Sequence, residues 1–402
     1  MKTLERQLAE YGNRQRELHG PISPDELIAR LERSHQLAPI RPPRRRGLWV
    51  AVAAAAVTLL VFGLIPLLVT GNDPPVADTV VPTTLRESTP TTLGEPAPTT
   101  PTWSRISLDD GVGGLGSVTV GGPGLVAVGV DDVSPGGDGD AAVWTSPDGI
   151  IWSRAPHDEA VFGGAGIQYM SSVTVGGPGL VAVGWGRLGD DEDAAVWTSP
   201  DGISWSRVPH DEAVFGGDGY QEMLSVTAGG PGLVAVGGEA KRTGVAAAVW
   251  TSPDGIIWSR VPHDEAVFGG DGDEMMWSVT AGGPGLVAVG VDAPGGDGDA
   301  AVWTSPDGII WSRIPHDEAV FGGDSYQIMR GVTAGGPGLV AVGVDGFGIN
   351  SDAAVWTSPD GIIWSRVPHE EAAFGAMLSV TFGGPGLVAV GNNAVVWVAA
   401  TD

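Results

Sequence analysis

The sequence predicts an all-β fold, a six-bladed β-propeller of four-stranded blades, and two repeated motifs carry this prediction. Trp-Thr-Ser-Pro-Asp-Gly recurs every 53 residues, starting at Trp144, Trp197, Trp250, Trp303 and Trp356. Gly-Gly-Pro-Gly-Leu-Val-Ala-Val-Gly occurs six times, starting at Gly121, Gly176, Gly229, Gly282, Gly335 and Gly383. A fixed period near 50 residues, with many short strands and regular Gly and Trp signals, is typical of a propeller.

Each unit is predicted to form four antiparallel strands, named a to d from the channel outwards. In the second unit these are residues 172–175, 179–184, 194–199 and 203–208. Pro-Gly separates strands a and b, and Pro-Asp-Gly separates strands c and d. A three-residue c–d loop with Gly in the left-handed position would set Trp144 opposite Trp152 as a cross-strand pair. Most of the Trp residues are therefore expected to pack within and between blades.

The two ends of the repeat array are complementary. Residues 102–106 match strand d alone, whereas the last unit contains strands a, b and c and ends before a strand d. We expect residues 103–106 to pair with the strand that contains Val395 and Trp397, so that both ends of the array share the sixth blade. This arrangement closes the ring and leaves no free sheet edge. The propeller domain is therefore predicted to span 103–402.

A single membrane-spanning helix is predicted before the repeats. Residues 47–69 carry no charged side chain, and at about 1.5 Å per residue they reach roughly 34 Å, enough to cross the hydrocarbon core. The alternative is a cleaved signal peptide, but the apolar run is too long for one. Arginines precede the run and no basic residue follows it until Arg86, which places the N-terminus in the cytoplasm and the propeller outside it. The arginines are Arg41, Arg44, Arg45 and Arg46.

Two shorter segments flank the predicted span. Residues 1–46 form a cytoplasmic arm, in which Ser23-Pro24-Asp25-Glu26 has the form of a capping box and predicts a short helix. If this helix binds a regulator, the chain is a transmembrane sensor. The alternative is that the arm is a solvated tail with no partner. Residues 70–102 form a Thr/Pro-rich linker that cannot bury a core.

Charge and composition exclude several classes of function. Of the 21 basic and 48 acidic residues, ten and six lie in 1–46, so 11 and 42 remain after the predicted span. A domain this acidic repels phosphate backbones, and nucleic-acid binding is not expected. The absence of cysteine excludes disulfides, thiolate metal sites and cysteine nucleophiles. No organic cofactor is expected, and calcium is the one ion that the sequence suggests.

The c–d turn resembles the Asp-box (BNR) repeat, Ser-x-Asp-x-Gly-x-x-Trp. The segment from Ser146 to Trp152 matches it with one residue fewer between Asp and Gly. Four further copies begin at Ser199, Ser252, Ser305 and Ser358. The resemblance covers 103–402 and implies a sialidase-like propeller of a membrane-anchored bacterial protein. The box is a structural turn in sialidases, sorting receptors and assembly factors alike, so it does not by itself imply an activity.

A ligand-binding site is predicted on the face that carries the b–c and d–a loops. Those loops differ between units, whereas the a–b and c–d turns on the opposite face are nearly identical. Aromatic and amide side chains there can stack on and hydrogen-bond to a sugar or peptide. We therefore expect a polar ligand, cationic or neutral, such as a cell-envelope glycan or protein, and the alternative is that these side chains plug the channel mouth. The candidates are Tyr169, Tyr220, Tyr326, Gln168, Gln221, Gln327, Trp185 and Trp277.

Two further groups of polar residues suggest metal binding. Gly-Gly-Asp-Gly-Asp loops offer oxygen ligands to calcium, with solvated acids as the alternative. Their aspartates are Asp138, Asp140, Asp297 and Asp299. A Pro-His-Asp/Glu-Glu motif recurs at His157, His210, His263, His316 and His369. Five equivalent catalytic sites around one ring would be unusual, so this motif is interpreted as a structural loop.

The function expected from these observations is a non-enzymatic binding or scaffold module. The alternative is a sialidase-like glycosidase, which by the resemblance needs three arginines, a tyrosine–glutamate nucleophile and an aspartic acid. Outside the repeated positions the domain offers only Arg187, Arg330, Lys241 and Arg242. Strand a should line the channel and reads Ser-Val-Thr in nearly every unit, so neither Arg nor a carboxylate is expected there.

Overall fold

A computed structural model of the chain describes part of the predicted propeller domain. The described residues are 112–131, 139–164, 166–188, 191–241, 244–270, 272–293, 298–323, 325–336, 338–346, 351–368, 375–383, 386–391 and 396–400. The predicted arm, span and linker, the segment 103–106, and the residues Asp138 and Asp297 lie outside them. Within the described ranges, no helix is both long enough and apolar enough to cross a membrane.

The described residues form six antiparallel sheets, which are the blades of a β-propeller. The predicted all-β, six-bladed fold is therefore confirmed. Blade 1 contains β1 (Val112–Gly121), β2 (Gly124–Asp131), β3 (Ala141–Ser146) and β4 (Ser153–Arg154). Blade 2 contains β5 (Gln168–Gly176), β6 (Gly179–Leu188), β7 (Asp191–Ser199) and β8 (Ser206–Arg207). Blade 3 contains β9 (Gln221–Gly229), β10 (Gly232–Lys241), β11 (Gly244–Ser252) and β12 (Ser259–Arg260).

The other blades repeat this order, and the sixth shows three strands within the described ranges. Blade 4 contains β13 (Asp273–Gly282), β14 (Gly285–Ala293), β15 (Asp299–Ser305) and β16 (Ser312–Arg313). Blade 5 contains β17 (Gln327–Gly335), β18 (Gly338–Asp345), β19 (Asp352–Ser358) and β20 (Ser365–Arg366). Blade 6 contains β21 (Met377–Gly383), β22 (Gly386–Gly391) and β23 (Val396–Ala400). Short helices follow the first four blades: α1 (Glu159–Phe162), α2 (Glu212–Phe215), α3 (Glu265–Phe268) and α4 (Glu318–Phe321).

The c–d connection differs from the predicted three-residue turn. Strand d has two residues, and Trp144 pairs with Arg154 rather than with Trp152, so the predicted Trp–Trp cross-strand pair is wrong. Side chains hold the wider loop open: the Ser146 hydroxyl accepts the amide of the loop glycine at 2.8 Å. The Asp148 carboxylate accepts the amides of the next two isoleucines at 2.8 and 2.9 Å. The loop glycine has a φ of 76°, the predicted left-handed conformation.

The hydrophobic core lies between successive blades. The cluster between blades 2 and 3 combines valines of β6 and β7 with Phe215 of α2 and Trp250 of β11. Four Trp side chains at this repeat position are 0% exposed, as the sequence predicts: Trp197, Trp250, Trp303 and Trp356. Burial of each large apolar side chain contributes about 1.5–3 kcal/mol, so the rigid ring is a result of inter-blade packing.

The repeated Pro-His-Asp-Glu motif starts the short helices. Asp158 is the N-cap of α1, and its carboxylate accepts the amide of Ala160 at 3.0 Å. The backbone oxygen of Val161 in this helix accepts the indole N–H of Trp197 from the next blade at 2.7 Å. The motif therefore acts as a helix cap that holds the crossing segment in place, in agreement with its structural interpretation.

Candidate functional site

One β-bulge lies at the same position in the innermost strand of every blade. The pairing of β5 with β6 skips one residue between Met170 and Ser172, which makes Ser171 the bulged residue of blade 2. The other five inner strands have the equivalent register shift. The six bulged residues are Gly116, Ser171, Leu224, Trp277, Arg330 and Leu378. A bulge re-aims a side chain, so each blade turns a different residue out of its sheet.

The six bulged residues line one cavity of about 410 Å³, to which all six blades contribute. The cavity is therefore the central channel of the propeller. Tyr169 and Trp185 of blade 2 form a further part of its wall. The residue after each bulge completes the lining; it is Gly331 in blade 5 and a serine in the other blades, at Ser117, Ser172, Ser225, Ser278 and Ser379. None of the described lining residues is a carboxylate, and the volume suits a small ligand.

The structure places an arginine in this channel, so the expectation of a channel strand without Arg is wrong. The Cζ atom of Arg330 lies 3.9 Å from the centroid of the Trp277 ring, a close cation–π contact. Burial lowers the pKa of Arg330, and the nearby Tyr326 opposes this shift. An arginine stays protonated even so. No described carboxylate forms an ion pair with it, and the channel therefore holds a positive charge.

Three buried polar atoms of residues that line the channel have no hydrogen-bond partner within the described protein. They are Nε of Arg330, Nε1 of Trp277 and Oγ of Ser171, all on bulged residues. A buried polar group without a partner costs about 1–3 kcal/mol, so most such groups in folded proteins are paired. Their grouping in one cavity is typical of a binding site.

The serine ring of the channel has a different role. The Ser172 hydroxyl accepts the amide N–H of Val226 in the next blade at 3.2 Å. Two later blades repeat this bond with the same length, from Val279 to Ser225 and from Val332 to Ser278. The Ser-Val-Thr motif therefore joins neighbouring inner strands, which explains its repetition.

Three of the eight predicted ligand-binding residues line the channel. Tyr169 and Trp185 are paired across β5 and β6, and their rings stack with centroids 6.1 Å apart and planes 29° apart. Trp277 is the third, beneath Arg330. Trp185 and Trp277 both lie within strands, because strands a and b extend further than the sequence predicts. Burial raises the pKa of Tyr169.

The predicted glutamines face the protein interior. Gln168, Gln221 and Gln327 are at most 1% exposed. The Gln327 amide donates to Asp345 at 2.8 Å, and blade 4 carries Glu274 at this position, which pairs with Lys241 at 2.9 Å. This burial favours a role in fixing the start of each inner strand. Tyr220 and Tyr326 are not among the residues that line the channel.

Two of the four predicted calcium ligands lie beside histidines of the repeated motif. Asp140 is 3.5 Å from the ring of His157, and Asp299 is 3.8 Å from that of His316. The grouping recurs in blade 2, where Asp193 lies 3.7 Å from His210. Calcium prefers ligand sets made only of oxygen, which these histidine-containing groups are not. A calcium site that also uses Asp138 and Asp297 stays a prediction, because those two residues lie outside the described ranges.

One carboxyl group of blade 3 is strongly perturbed. Glu222 occupies the position that Tyr169 has in blade 2. Burial, with a smaller contribution from the charge of Glu192, raises the pKa of Glu222 to about 7. Burial, followed by the charge of Glu222, also raises the pKa of Tyr220 to about 12. Glu222 is therefore partly protonated near neutral pH.

The channel residues that sequence reasoning missed share one signal. Each bulged residue directly precedes the Ser-Val-Thr motif or its Gly-Val-Thr form, and this position differs between neighbouring copies. Comparison of the six copies at this position alone would have singled out Leu224, Arg330 and Leu378. The alternation of a strand gives no indication that this position is bulged.

Comparisons with known proteins find only distant similarity. No protein-family model matches the chain, and no curated protein matches it. A glycosyl hydrolase from Bacteroides ovatus is 14% identical over 65% of this chain and 85% of its own, with a TM-score of 0.33. Sqt1 from Chaetomium thermophilum is 12% identical over 71% and 81%, with a TM-score of 0.40. A Bombyx mori GH32 beta-fructofuranosidase is 13% identical over 69% and 63%, with a TM-score of 0.35. At these values none of the three indicates an activity for this chain.

Proposed function

We propose that the chain is a membrane-anchored, extracytoplasmic binding module that takes a polar cell-envelope ligand, a glycan or protein segment, into its central channel. The convergence of six bulged residues on one cavity carries this proposal. The a–b and c–d turns are nearly identical from blade to blade, whereas the bulged position varies, as expected where a ligand is recognised. The stacked Tyr169 and Trp185 in the wall supply a surface on which a sugar or peptide group can pack.

Filling the channel tests this function. Leu224→Trp places a large side chain in the cavity, and Ile256→Trp, on an exposed turn outside the lining, is the matched control. The probes are purified peptidoglycan and a panel of soluble envelope glycans. We expect the Leu224 variant to bind at least tenfold more weakly than wild type and the control to bind normally. Equal binding by the folded variant and wild type would refute a channel site.

The tyrosines give a second test of where the ligand binds. Of the three, only Tyr169 lines the cavity. We therefore expect Tyr169→Ala to weaken glycan binding nearly as much as the triple substitution of Tyr169, Tyr220 and Tyr326 by Ala. A loss confined to the triple variant would move the site from the channel to the outer loops.

The membrane anchor and the orientation rest on the apolar run at 47–69 and the arginines before it. In intact spheroplasts, added protease should digest the propeller and leave the arm at 1–46 protected. Protection of the propeller would contradict this topology. A transmembrane sensor is an alternative function for the anchored propeller. It requires a cytoplasmic protein that binds the arm at 1–46 only when the channel holds its ligand.

A sialidase-like or related Asp-box glycosidase is the second candidate, and Glu222 is the observation that favours it. A carboxyl group with a pKa of about 7 can act as a general acid near neutral pH. The test is hydrolysis of a panel of fluorogenic glycosides by wild type and Glu222→Gln. Activity that the variant loses would support the enzyme, and no activity in either would support the binding module.

A further inference from the structure

We propose that Arg330 and Trp277 form a carboxylate-binding subsite inside the central channel. This inference rests on the proposed binding function and names the chemical group that the channel recognises. The sequence predicts a cationic or neutral ligand because the domain is strongly acidic. The channel itself has the opposite local charge, since Arg330 is the single charged side chain among its described lining residues.

The first argument is the cost of an uncompensated buried charge. Five of the other six described arginines form an ion pair with a carboxylate, as Arg187 does with Glu192 at 2.6 Å. The sixth, Arg207, donates to a backbone oxygen at 3.3 Å. Arg330 instead contacts the face of Trp277, and burial lowers its pKa. A buried cation is normally paired with an anion, because loss of hydration disfavours the charged form. A ligand anion would supply the partner that the described protein does not.

The second argument is the geometry of the donors. The Cζ atom of Arg330 lies over the Trp277 ring, and the Nε of Arg330 has no hydrogen-bond partner within the described protein. A guanidinium group carries its N–H donors along its planar edge. A carboxylate accepts two parallel hydrogen bonds from such an edge. The indole Nε1 of Trp277 is a pure donor, the Ser171 hydroxyl can also donate, and both atoms are buried without a partner. The set therefore favours an acceptor-rich, negatively charged group and disfavours an ammonium group.

The third argument is position. Ser171, Trp277 and Arg330 are all bulged residues and belong to blades 2, 4 and 5, so three different blades bring them to the lining of one cavity. A carboxylate of this kind occurs in acidic sugars and at the C-terminus of peptides. Both sources present the same group to Arg330, and the remainder of the ligand distinguishes them.

The experiment uses the full chain in detergent micelles and calorimetric titration with two matched pairs of small probes. The first pair is glucuronic acid and glucose, and the second is N-acetylalanine and its amide. We expect the acid of at least one pair to bind wild type at least tenfold more tightly than its neutral partner. The pair that shows this preference identifies the source of the carboxylate. Arg330→Gln should weaken binding of that acid at least tenfold and leave the neutral partner unchanged.

Control variants distinguish the effect of Arg330 from a general change in net charge and from loss of folding. Arg187→Gln makes the same change of net charge outside the cavity and should leave acid binding unchanged. Trp277→Phe keeps the ring, removes the N–H donor and should weaken acid binding severalfold. If Arg330→Gln does not fold, as judged by circular dichroism, Arg330→Lys and Trp277→Phe decide the outcome.

Three results would overturn the inference. The first is that a folded Arg330 variant binds the acid as tightly as wild type does. The second is that Arg187→Gln loses as much affinity for the acid as Arg330→Gln does. A third result is that wild type binds neutral envelope glycans, that Leu224→Trp abolishes this binding, and that neither acid is preferred over its neutral partner. This result would reject the carboxylate subsite but would still support the binding module. If no ligand of any kind binds the channel, the proposed function fails as well.

Discussion

The indole N–H of Trp250 donates to the backbone oxygen of Val214 at 2.7 Å and so fastens the segment that leaves blade 2 to the body of blade 3. The same bond, of the same length, recurs at three other blade junctions. Its partners there are Trp197 with Val161, Trp303 with Val267, and Trp356 with Val320. The invariant Trp of the repeat is therefore both a core side chain and a hydrogen-bond donor between blades.

Replacement of this donor should destabilise the ring. Trp250→Phe keeps an aromatic ring in the core but leaves the Val214 carbonyl without its partner, at a cost of about 1–3 kcal/mol. We expect a lower midpoint of urea unfolding. Trp185→Phe, which changes a partly buried ring in the channel wall, is the control and should shift the midpoint less. Equal midpoints for both variants would show that the bond contributes nothing measurable.

The aspartates of the c–d turns should make the fold sensitive to acid. Backbone amides of the turn hold the pKa of these carboxylates below the ordinary 3.8 in five blades. A group with a lowered folded pKa stabilises the fold above its unfolded value, and this contribution is lost as the pH falls towards the folded value. We expect the melting temperature to fall below about pH 4 and to fall less steeply in Asp307→Asn. Asp218→Asn, at an exposed position, is the control. If the melting temperature of Asp307→Asn falls with pH as steeply as that of the control, the turn aspartates are not the cause of the acid sensitivity.

Glu222 should have the opposite effect on stability. Its folded pKa of about 7 lies above the ordinary 4.5, so the folded state holds a proton that the unfolded state has lost between these values. The free energy of unfolding should therefore decrease from about pH 4.5 to 7. Glu222→Gln should remove this decrease and be more stable than wild type at pH 8 by on the order of 2 kcal/mol. Glu212→Gln, on the exposed surface, is the control, and the prediction fails if the Glu222 variant gains nothing at pH 8.

Closure of the sixth blade by residues 103–106 stays a prediction, because that segment lies outside the described ranges. Blade 6 shows strands a to c, and Trp397 of β23 packs against the cluster between blades 5 and 6. Deletion of 102–107 should lower the melting temperature by more than about 5 °C, as expected from the loss of a paired strand. A six-residue deletion at 92–97 in the predicted linker is the control. Identical melting curves for the two deletions would rule out the shared blade.

The sequence was sufficient to predict the blades, because their turns and alternating apolar strands are local signals. It failed at the c–d loop, where the side chains of Ser146 and Asp148 satisfy backbone amides and make a wider loop stable. The sequence-based prediction also failed in the channel, where no arginine was expected. Arg330 is a bulged residue, and the alternation of side chains along a strand does not reveal a bulge. The glutamines were chosen for their chemistry, and their burial depends on tertiary contacts that no local pattern contains.

Most of the bulged residues that line the channel are distinct from the residues that pack between blades. A bulged residue lies outside the ladder of paired residues, and among the six only Trp277 packs against a described hydrophobic cluster between blades. Substitution at Leu224 or Leu378 can therefore change the chemistry of the channel with little effect on blade packing. Gly116 differs, because a Cβ there would collide with the backbone oxygen of Met170 in the next blade. Duplication of one stable blade, followed by single changes at this position, would be enough to produce a new specificity. The propeller thus offers a template in which a few positions can be varied to engineer binding in the channel.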